Sequence, residues 1–392
     1  MPAPLLLDLS HTSHTRARTG IQRVCRALRA ALGADAGALT FDPHERAWRG
    51  LQAWERATLA SDSAAGKRGA QWPFIAKLRG RASRALHRAE PKLPENSGLL
   101  VPEVFSPDVA RALPALFARI DGPRVALFHD AIALKYPELT PTKTVARFPA
   151  YLIELLAFDG IAAVSSDSRT SLLEYWRWLG VHTAPPVVTI PLGIDFENHP
   201  RDPLPKTANA PPVILCVGSI EGRKNHLALL EACDRLWAGG ASFALHLIGL
   251  AQPQTASAAL ARMRELQAAG RPLRYDGPVS DDAVAAAYAA CAFTVYPSLI
   301  EGFGLPVLES VGHGKPCLCS ARGALGESAR GGGCVALETL DAPALALAIA
   351  RLLESPAELQ QLSAAARART FKTWSQYAAE LTGWMRTLRR PG

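Results

Sequence analysis

The sequence predicts an α/β protein built of two Rossmann-like, doubly wound domains. Three observations carry that expectation. At 392 residues the chain exceeds what one ordinary hydrophobic core supports. Short apolar runs alternate with segments of helical periodicity along most of the length, which is the pattern of βαβ units on a parallel sheet. A proline-rich stretch, residues 196–212, separates two such series. The expected division is 1–195 for the N-terminal domain, 196–212 for a linker, 213–372 for the C-terminal domain and 373–392 for a last helix.

Taken in order, Leu5 to Leu9 is a first strand. A polar loop rich in His, Arg and Thr follows, and Gly20 opens a helix with Ile21, Val24, Leu28 and Leu32 on one face. Residues 61–98 differ in texture. Between Lys67 and Lys92 lie eight Lys or Arg and one acid, Glu90, while Phe74, Ile75, Leu78, Ala82 and Leu86 recur at helical spacing. A basic amphipathic segment of this kind suits an anionic membrane surface; the alternative is an ordinary surface helix or loop. No nucleic-acid motif accompanies the charge, so nucleic acid is not expected as a partner.

Leu99–Val104 and Arg124–Phe128 are the next strands, and the second ends in His129-Asp130. A helix over 143–158, a strand over 160–164 and a helix over 169–178 capped by Ser165–Ser168 come next. Val187–Pro191 closes the series. Beyond the linker, the strand 213–217 leads into Gly218-Ser219-Ile220-Glu221-Gly222-Arg223-Lys224-Asn225. That string is one residue short of a Walker loop, and Asn225 stands where Ser or Thr would bind Mg²⁺. Helix 226–237, strand 244–248, helix 255–269, strand 273–276 and helix 281–291 follow.

The most informative stretch is residues 293–320, FTVYPSLIEGFGLPVLESVGHGKPCLCS. It reads as a strand, a loop carrying Glu301, Gly302 and Gly304, a helix from Leu305 to His313, and a second strand. The loop therefore sits at the carboxyl edge of a parallel sheet, where open α/β sheets bind ligands. Gly302 and Gly304 admit close backbone approach, and free amides at a helix N-terminus suit a phosphate. Glu301 and Glu309, eight positions apart, can each take a pair of sugar hydroxyls. Gly331–Gly333 is read as a loop after the last strands. Helices at 342–354, 356–370 and 374–388 complete the chain.

Composition narrows the class. With 48% hydrophobic and 20% charged residues the chain is globular. It has no run of about 18 uncharged apolar residues, so no transmembrane helix is expected. The start, MPAPLLLDLSHTSH, lacks a basic n-region, so no signal peptide is expected. Seven cysteines without a Cys-x-x-Cys pair read as reduced thiols in a cytosolic enzyme. No His-Glu-x-x-His or Asp-x-Asp is present, so neither a metal nor a resident cofactor is expected. Residues 1–150 hold 22 Lys+Arg against 13 Asp+Glu, and the remainder 21 against 22, which confines the basic character to the first part.

The Glu301–Glu309 stretch resembles the signature of the retaining, nucleotide-sugar-dependent glycosyltransferases of the GT-B fold, family-four type. Thr19-Gly20-Ile21-Gln22-Arg23 resembles a loop in a branch that builds bacterial surface polysaccharides and includes mannosyltransferases. The resemblance implies an acceptor domain at the N-terminus and a donor domain at the C-terminus facing across a cleft, and a last helix crossing back to the first domain. It implies Arg223 and Lys224 on the donor diphosphate, Glu309 on the ribose and Glu301 on the hexose. Gly218, Gly302, Phe303, Gly304 and Leu305 would line the donor, with His129 near the reacting carbon. Gly20 and Asp130 belong to the acceptor or donor loops. Implied with them are transfer of a hexose to a glycan or lipid-linked glycan, a leaning to GDP-mannose as donor, and a place in the cytoplasm or on the inner face of the membrane. A nucleotide-sugar epimerase of the same fold is the alternative.

Overall fold

Apolar runs buried on both sides form two sheets, as parallel strands covered by helices require. The computed structural model describes residues 5–17, 20–61, 69–86, 93–94, 97–195, 211–252 and 254–388. The chain divides into two compact units. One comprises Met1–Asp130, Arg147–Gly193 and Lys372–Gly392; the other comprises Ala131–Ala146 and Ile194–Phe371. Residues 131–146 thus belong with the second unit, although the sequence places them in the middle of the first. Of the expected linker, residues 196–210 lie outside the described part.

The first unit holds β1 (Leu5–Asp8), β2 (Ala36–Asp42), β3 (Ala47–Gly50), β4 (Gly98–Val101), β5 (Arg124–Phe128), β6 (Gly160–Ala163) and β7 (Val187–Thr189). Their order is β3-β2-β1-β4-β5-β6-β7. All pairs are parallel except β2 with β3, whose register sets Phe41 opposite Trp48. That hairpin and the helix Ala53–Ala60 were not read from the sequence. They are held by ion pairs that no periodicity marks: Arg49 bridges Asp42 at 2.9 Å and Glu55 at 2.7 Å from a mostly buried position. The helix Trp374–Met385 belongs to this unit. Its Trp384 leaves no room for a Cβ on Gly160, and Thr373 none on Gly193.

The second unit holds β8 (Val213–Val217), β9 (Ala244–Ile248), β10 (Leu273–Tyr275), β11 (Phe293–Tyr296), β12 (Cys317–Ser320) and β13 (Cys334–Leu337), in the order β10-β9-β8-β11-β12-β13. The helices His226–Ala238 and Ala342–Glu354 bury Leu229, Leu230, Leu345 and Ile349 against it. Gly331, Gly332 and Gly333 precede the last strand instead of following it. Their φ values of 102°, 95° and 79° turn the chain from the helix Gly323–Ala329 into β13. The helix expected at 169–178 begins at Ser166, capped by the Ser165 side chain.

Both sheets reverse direction once, between β1 and β4 and between β8 and β11. A crevice opens outside the carboxyl ends of the strands at such a switch point. The loops after these four strands are therefore the places to look for chemistry.

Candidate active site

In the second unit the loops after β8 and β11 lie side by side because their strands are neighbours, with Phe293 in register with Ile214. After β8 the chain passes Gly218, makes a short 3-10 turn over Gly222–Lys224, and enters the helix His226–Ala238 through Asn225. Asn225 adopts φ 57°, a left-handed geometry that asparagine tolerates, and its amide donates to the Leu340 carbonyl at 2.8 Å. Its role at the Walker-like position is thus a backbone turn. After β11, Gly304 at φ 96° caps the helix Leu305–Gly312. Backbone and side-chain bonds stitch the loops together. The Leu299 amide donates to the Arg223 carbonyl at 2.8 Å, and Arg223 donates to the Ile300 carbonyl at 3.2 Å.

That stitching brings Arg223 and Lys224 onto one carboxylate. Arg223 Nη1 lies 2.7 Å from Glu301 Oε2, and Lys224 Nζ lies 2.5 Å from Oε1. Arg223 Nη2 also meets Glu221 at 2.8 Å. Ser298 and Tyr296 each donate a hydroxyl to Glu301 Oε1, at 2.6 and 2.9 Å. Lys224 donates to the Tyr296 oxygen as well, and stands 4.7 Å over its ring. Burial pushes the Glu301 carboxyl up, but the two cations outweigh it and hold it at about 2. Burial works against the charge on Arg223 too, but Glu301 and Glu221 outweigh it and raise its pKa. At Lys224 burial prevails and lowers the ammonium below the usual range. Glu301 is therefore ionised between two fixed donors.

The other predicted donor residues gather around the same loop. Glu309 sits buried on the helix after Gly304. The Phe303 carbonyl accepts from Ser328 at 2.5 Å, and Leu305 starts the helix with proline behind it. A Cβ on Gly218 would lie 3.4 Å from the Tyr296 ring, and the Gly218 carbonyl is so close to Gly249 that a Cβ on Gly249 would sit 1.9 Å from it. Tyr296, Ser298 and Glu221 were not singled out from the sequence. The available signal was position: hydroxyl and acidic groups at the carboxyl ends of β8 and β11.

In the first unit, Gly20 opens the helix Gly20–Leu32, while Thr19 lies outside the described residues. His129 follows β5, buried, with Nε2 2.7 Å from the Pro102 carbonyl, and burial lowers its pKa. Asp130 is half-buried next to it. A second polar cluster occupies the β1–β4 switch point. Glu103 accepts from the amides of His11 and Thr12, both at 2.7 Å. Asp8 Oδ1 accepts from the Ser10 amide at 2.9 Å and its hydroxyl at 2.5 Å. Burial, reinforced by Glu103, raises the Asp8 carboxyl to about 7. His14 Nε2 lies 2.7 Å from Glu55.

The basic segment forms the helix Phe74–Ala85. It packs through Ala76, Gly80 and Ser83, leaving Phe74 73%, Ile75 71% and Leu86 70% exposed beside Arg79, Arg81 and Arg84. Lys67, Arg68 and residues 87–92 of that segment lie outside the described residues. Among the described residues no helix is long and apolar enough to cross a membrane, and no group of three His, Cys, Asp or Glu is placed to hold a metal ion.

Residues 211–355 match the sequence profile of the glycosyl transferases group 1 family. The chain is 26% identical over 339 residues to the serotype-specific mannosyltransferase WbdA of Escherichia coli, covering 80% of this chain and 38% of that protein. It thus spans well under half the length of that relative. It is 30% identical over 268 residues to the GDP-mannose-dependent alpha-(1-6)-phosphatidylinositol dimannoside mannosyltransferase of Mycobacterium tuberculosis, covering 66% of each. Anabaena HepE in complex with UDP and glucose superposes with a TM-score of 0.68 at 14% identity, covering 98% of this chain and 100% of the other. The fold is GT-B. Nothing in these similarities supports an epimerase.

Proposed function

Because residues 211–355 are a glycosyl transferases group 1 domain in a GT-B fold, we propose that the chain is a retaining, metal-independent hexosyltransferase. It takes a nucleotide-diphosphate sugar, with GDP-mannose the favoured donor, and acts on a glycan or lipid-linked glycan in surface-polysaccharide synthesis. The observation that carries this reading is the convergence of Arg223 and Lys224 on one carboxylate beside a glycine-capped helix N-terminus. Two fixed cations that share one anion can instead share the oxygens of a diphosphate.

The exchange has a mechanistic consequence. When the donor diphosphate takes the two cations, Glu301 is released to accept hexose hydroxyls, while Glu309 holds the ribose. Amides around Gly302–Gly304, with Phe303 and Leu305 setting the loop and Gly218 the opposite wall, meet sugar and phosphate. As the anomeric C–O bond breaks, charge grows on the departing phosphate, where Arg223 and Lys224 neutralise it. That phosphate oxygen accepts the proton of the incoming hydroxyl, so the cations replace a metal and no covalent nucleophile is needed. His129, buried with a lowered pKa, is the residue that the family resemblance assigns to the donor sugar. Gly20 and Asp130 are assigned to loops that face acceptor or donor.

The acceptor's lipid would be met at a membrane. The helix Phe74–Ala85 presents apolar and basic side chains together, which suits shallow insertion into an anionic surface on the cytoplasmic side. The experiment for the central reading is to incubate the purified chain with a panel of UDP-, GDP- and ADP-sugars and measure nucleotide release. Release of GDP from GDP-mannose in an acceptor-stimulated reaction is the expected result. Absence of release with every donor would refute it.

A further inference from the structure

Three of the seven cysteines meet on one face of the second sheet. Cys317 and Cys319 alternate along β12, so both project to the same side. Cys334 on β13 is the register partner of Cys317. Adjacent strands lie about 5 Å apart, within the Cα separation a disulfide spans. All three thiols belong to one small core with Tyr296, Val307, Val311 and Leu325. Cys317 and Cys319 are fully buried, whereas Cys334 reaches solvent. Glycosyl transfer has no use for them.

The three thiols are electrostatically unequal. The Cys334 thiol is held below the usual range by hydrogen bonds from Cys317 and then Cys319, and the Arg369 guanidinium adds to this against the effect of burial. Burial pushes Cys317 the other way. A partly exposed thiolate beside a protonated, buried thiol is the arrangement of an attacking and a resolving cysteine.

We propose that Cys334 and Cys317 form a hydroperoxide-reactive pair that closes reversibly into a disulfide between β12 and β13. The Cys334 thiolate attacks one peroxide oxygen and the O–O bond breaks. The sulfur loses two electrons to become a sulfenic acid, and the other oxygen leaves as water or alcohol after taking a proton. The Cys317 sulfur then displaces the sulfenic hydroxyl. The hydroxide leaves with the Cys317 proton as water, and the S–S bond forms. A thiol reductant reverses the change.

The pair is linked to the loop that carries Glu301. Both Arg369 Nη atoms donate to the Ser328 carbonyl at 3.1 Å, and the Ser328 hydroxyl donates to the Phe303 carbonyl. A Cβ on Gly304 would lie 3.1 Å from both Leu325 and Ser328. Consuming the thiolate that Arg369 faces disturbs this chain of contacts and lowers affinity for a nucleoside diphosphate. This consequence, unlike the bridge itself, rests on the donor-site reading.

The test treats the reduced full chain with near-stoichiometric hydrogen peroxide and follows intact mass, non-reduced peptide maps and GDP affinity by calorimetry. A loss of about 2 Da, a Cys317–Cys334 crosslink and reversal by dithiothreitol are expected. GDP affinity should fall about fivefold or more and recover on reduction. Cys317→Ser should leave a sulfenic acid on Cys334 that dimedone captures, and Cys334→Ser should prevent the mass loss. No mass loss in the wild-type chain, or a bridge between other cysteines, overturns the pair. Unchanged GDP affinity in the bridged protein overturns the link to the loop. A reduced protein that does not bind GDP overturns the donor reading and leaves the bridge standing.

Discussion

Replacing Glu301 by glutamine keeps the shape of the side chain and removes its charge, which isolates what the carboxylate does between Arg223 and Lys224. The wild-type carboxyl sits at about 2 against an ordinary 4.5, so the fold favours its ionised form by about 3 kcal/mol. A carboxyl depressed in this way contributes stability that is present above its unfolded pKa and fades as pH falls toward the folded one. Glu301→Gln should therefore cost about 3 kcal/mol at pH 7 but only about 2 kcal/mol at pH 3.5, where the unfolded carboxyl is already mostly protonated. Both Glu301 and Lys224 are largely shielded from solvent, so screening does not erase the effect. Urea titration read by hydrogen exchange of peptides spanning β8 and β11 reports the second unit alone. A variant as stable as wild type at pH 7, or a gap identical at the two pH values, would refute the ionic role and leave Glu301 as packing.

The remaining predictions concern chemistry, surface and the first unit. Lys224→Ala and Glu309→Ala should each lower kcat/KM by an amount corresponding to about 2–4 kcal/mol in the transition state while circular dichroism stays unchanged; wild-type kcat/KM in folded Lys224→Ala would remove the diphosphate role. Transfer should survive EDTA, since Arg223 and Lys224 supply the positive charge, and a strict requirement restored by Mg²⁺ or Mn²⁺ would contradict this. Changing Lys77, Arg79, Arg81 and Arg84 to Gln should weaken co-sedimentation with anionic liposomes, by about 1 kcal/mol or less per charge and less at high salt, without altering donor hydrolysis. Indifference of the wild-type chain to such liposomes at low salt would make the helix a solvated face. Asp8, raised to about 7 from 3.8, costs stability progressively as pH rises through that window, because the folded state then holds the extra proton. Asp8→Asn should therefore be the more stable protein at pH 8, by up to about 4 kcal/mol, with the gap closing by pH 4; equal stability at both pH values would show that Asp8 titrates normally.

Much of this protein was legible in the order of its residues. Short continuous apolar runs located β1, β5, β8 and β11, and period-3.6 hydrophobicity located helices such as Gly20–Leu32, Ser166–Trp178 and His226–Ala238, because a strand buried on both faces is apolar throughout and an amphipathic helix is apolar on one face. Gly302 and Gly304, just after Glu301, marked the loop where backbone must approach a ligand, and the run of basic residues marked the helix Phe74–Ala85. The β2–β3 hairpin left no such mark, because its strands are short and the local pairs of Arg49 with Asp42 and Glu55 that hold it follow no repeat. Tertiary structure decided what depends on neighbours distant in sequence. Residues 131–146 belong with the second unit, an allegiance no periodicity records. The union of Glu301 with Arg223 and Lys224 joins residues more than 70 positions apart, and it follows from β8 and β11 being adjacent strands at a switch point. Sheet order sets which loops meet, and only folding sets sheet order.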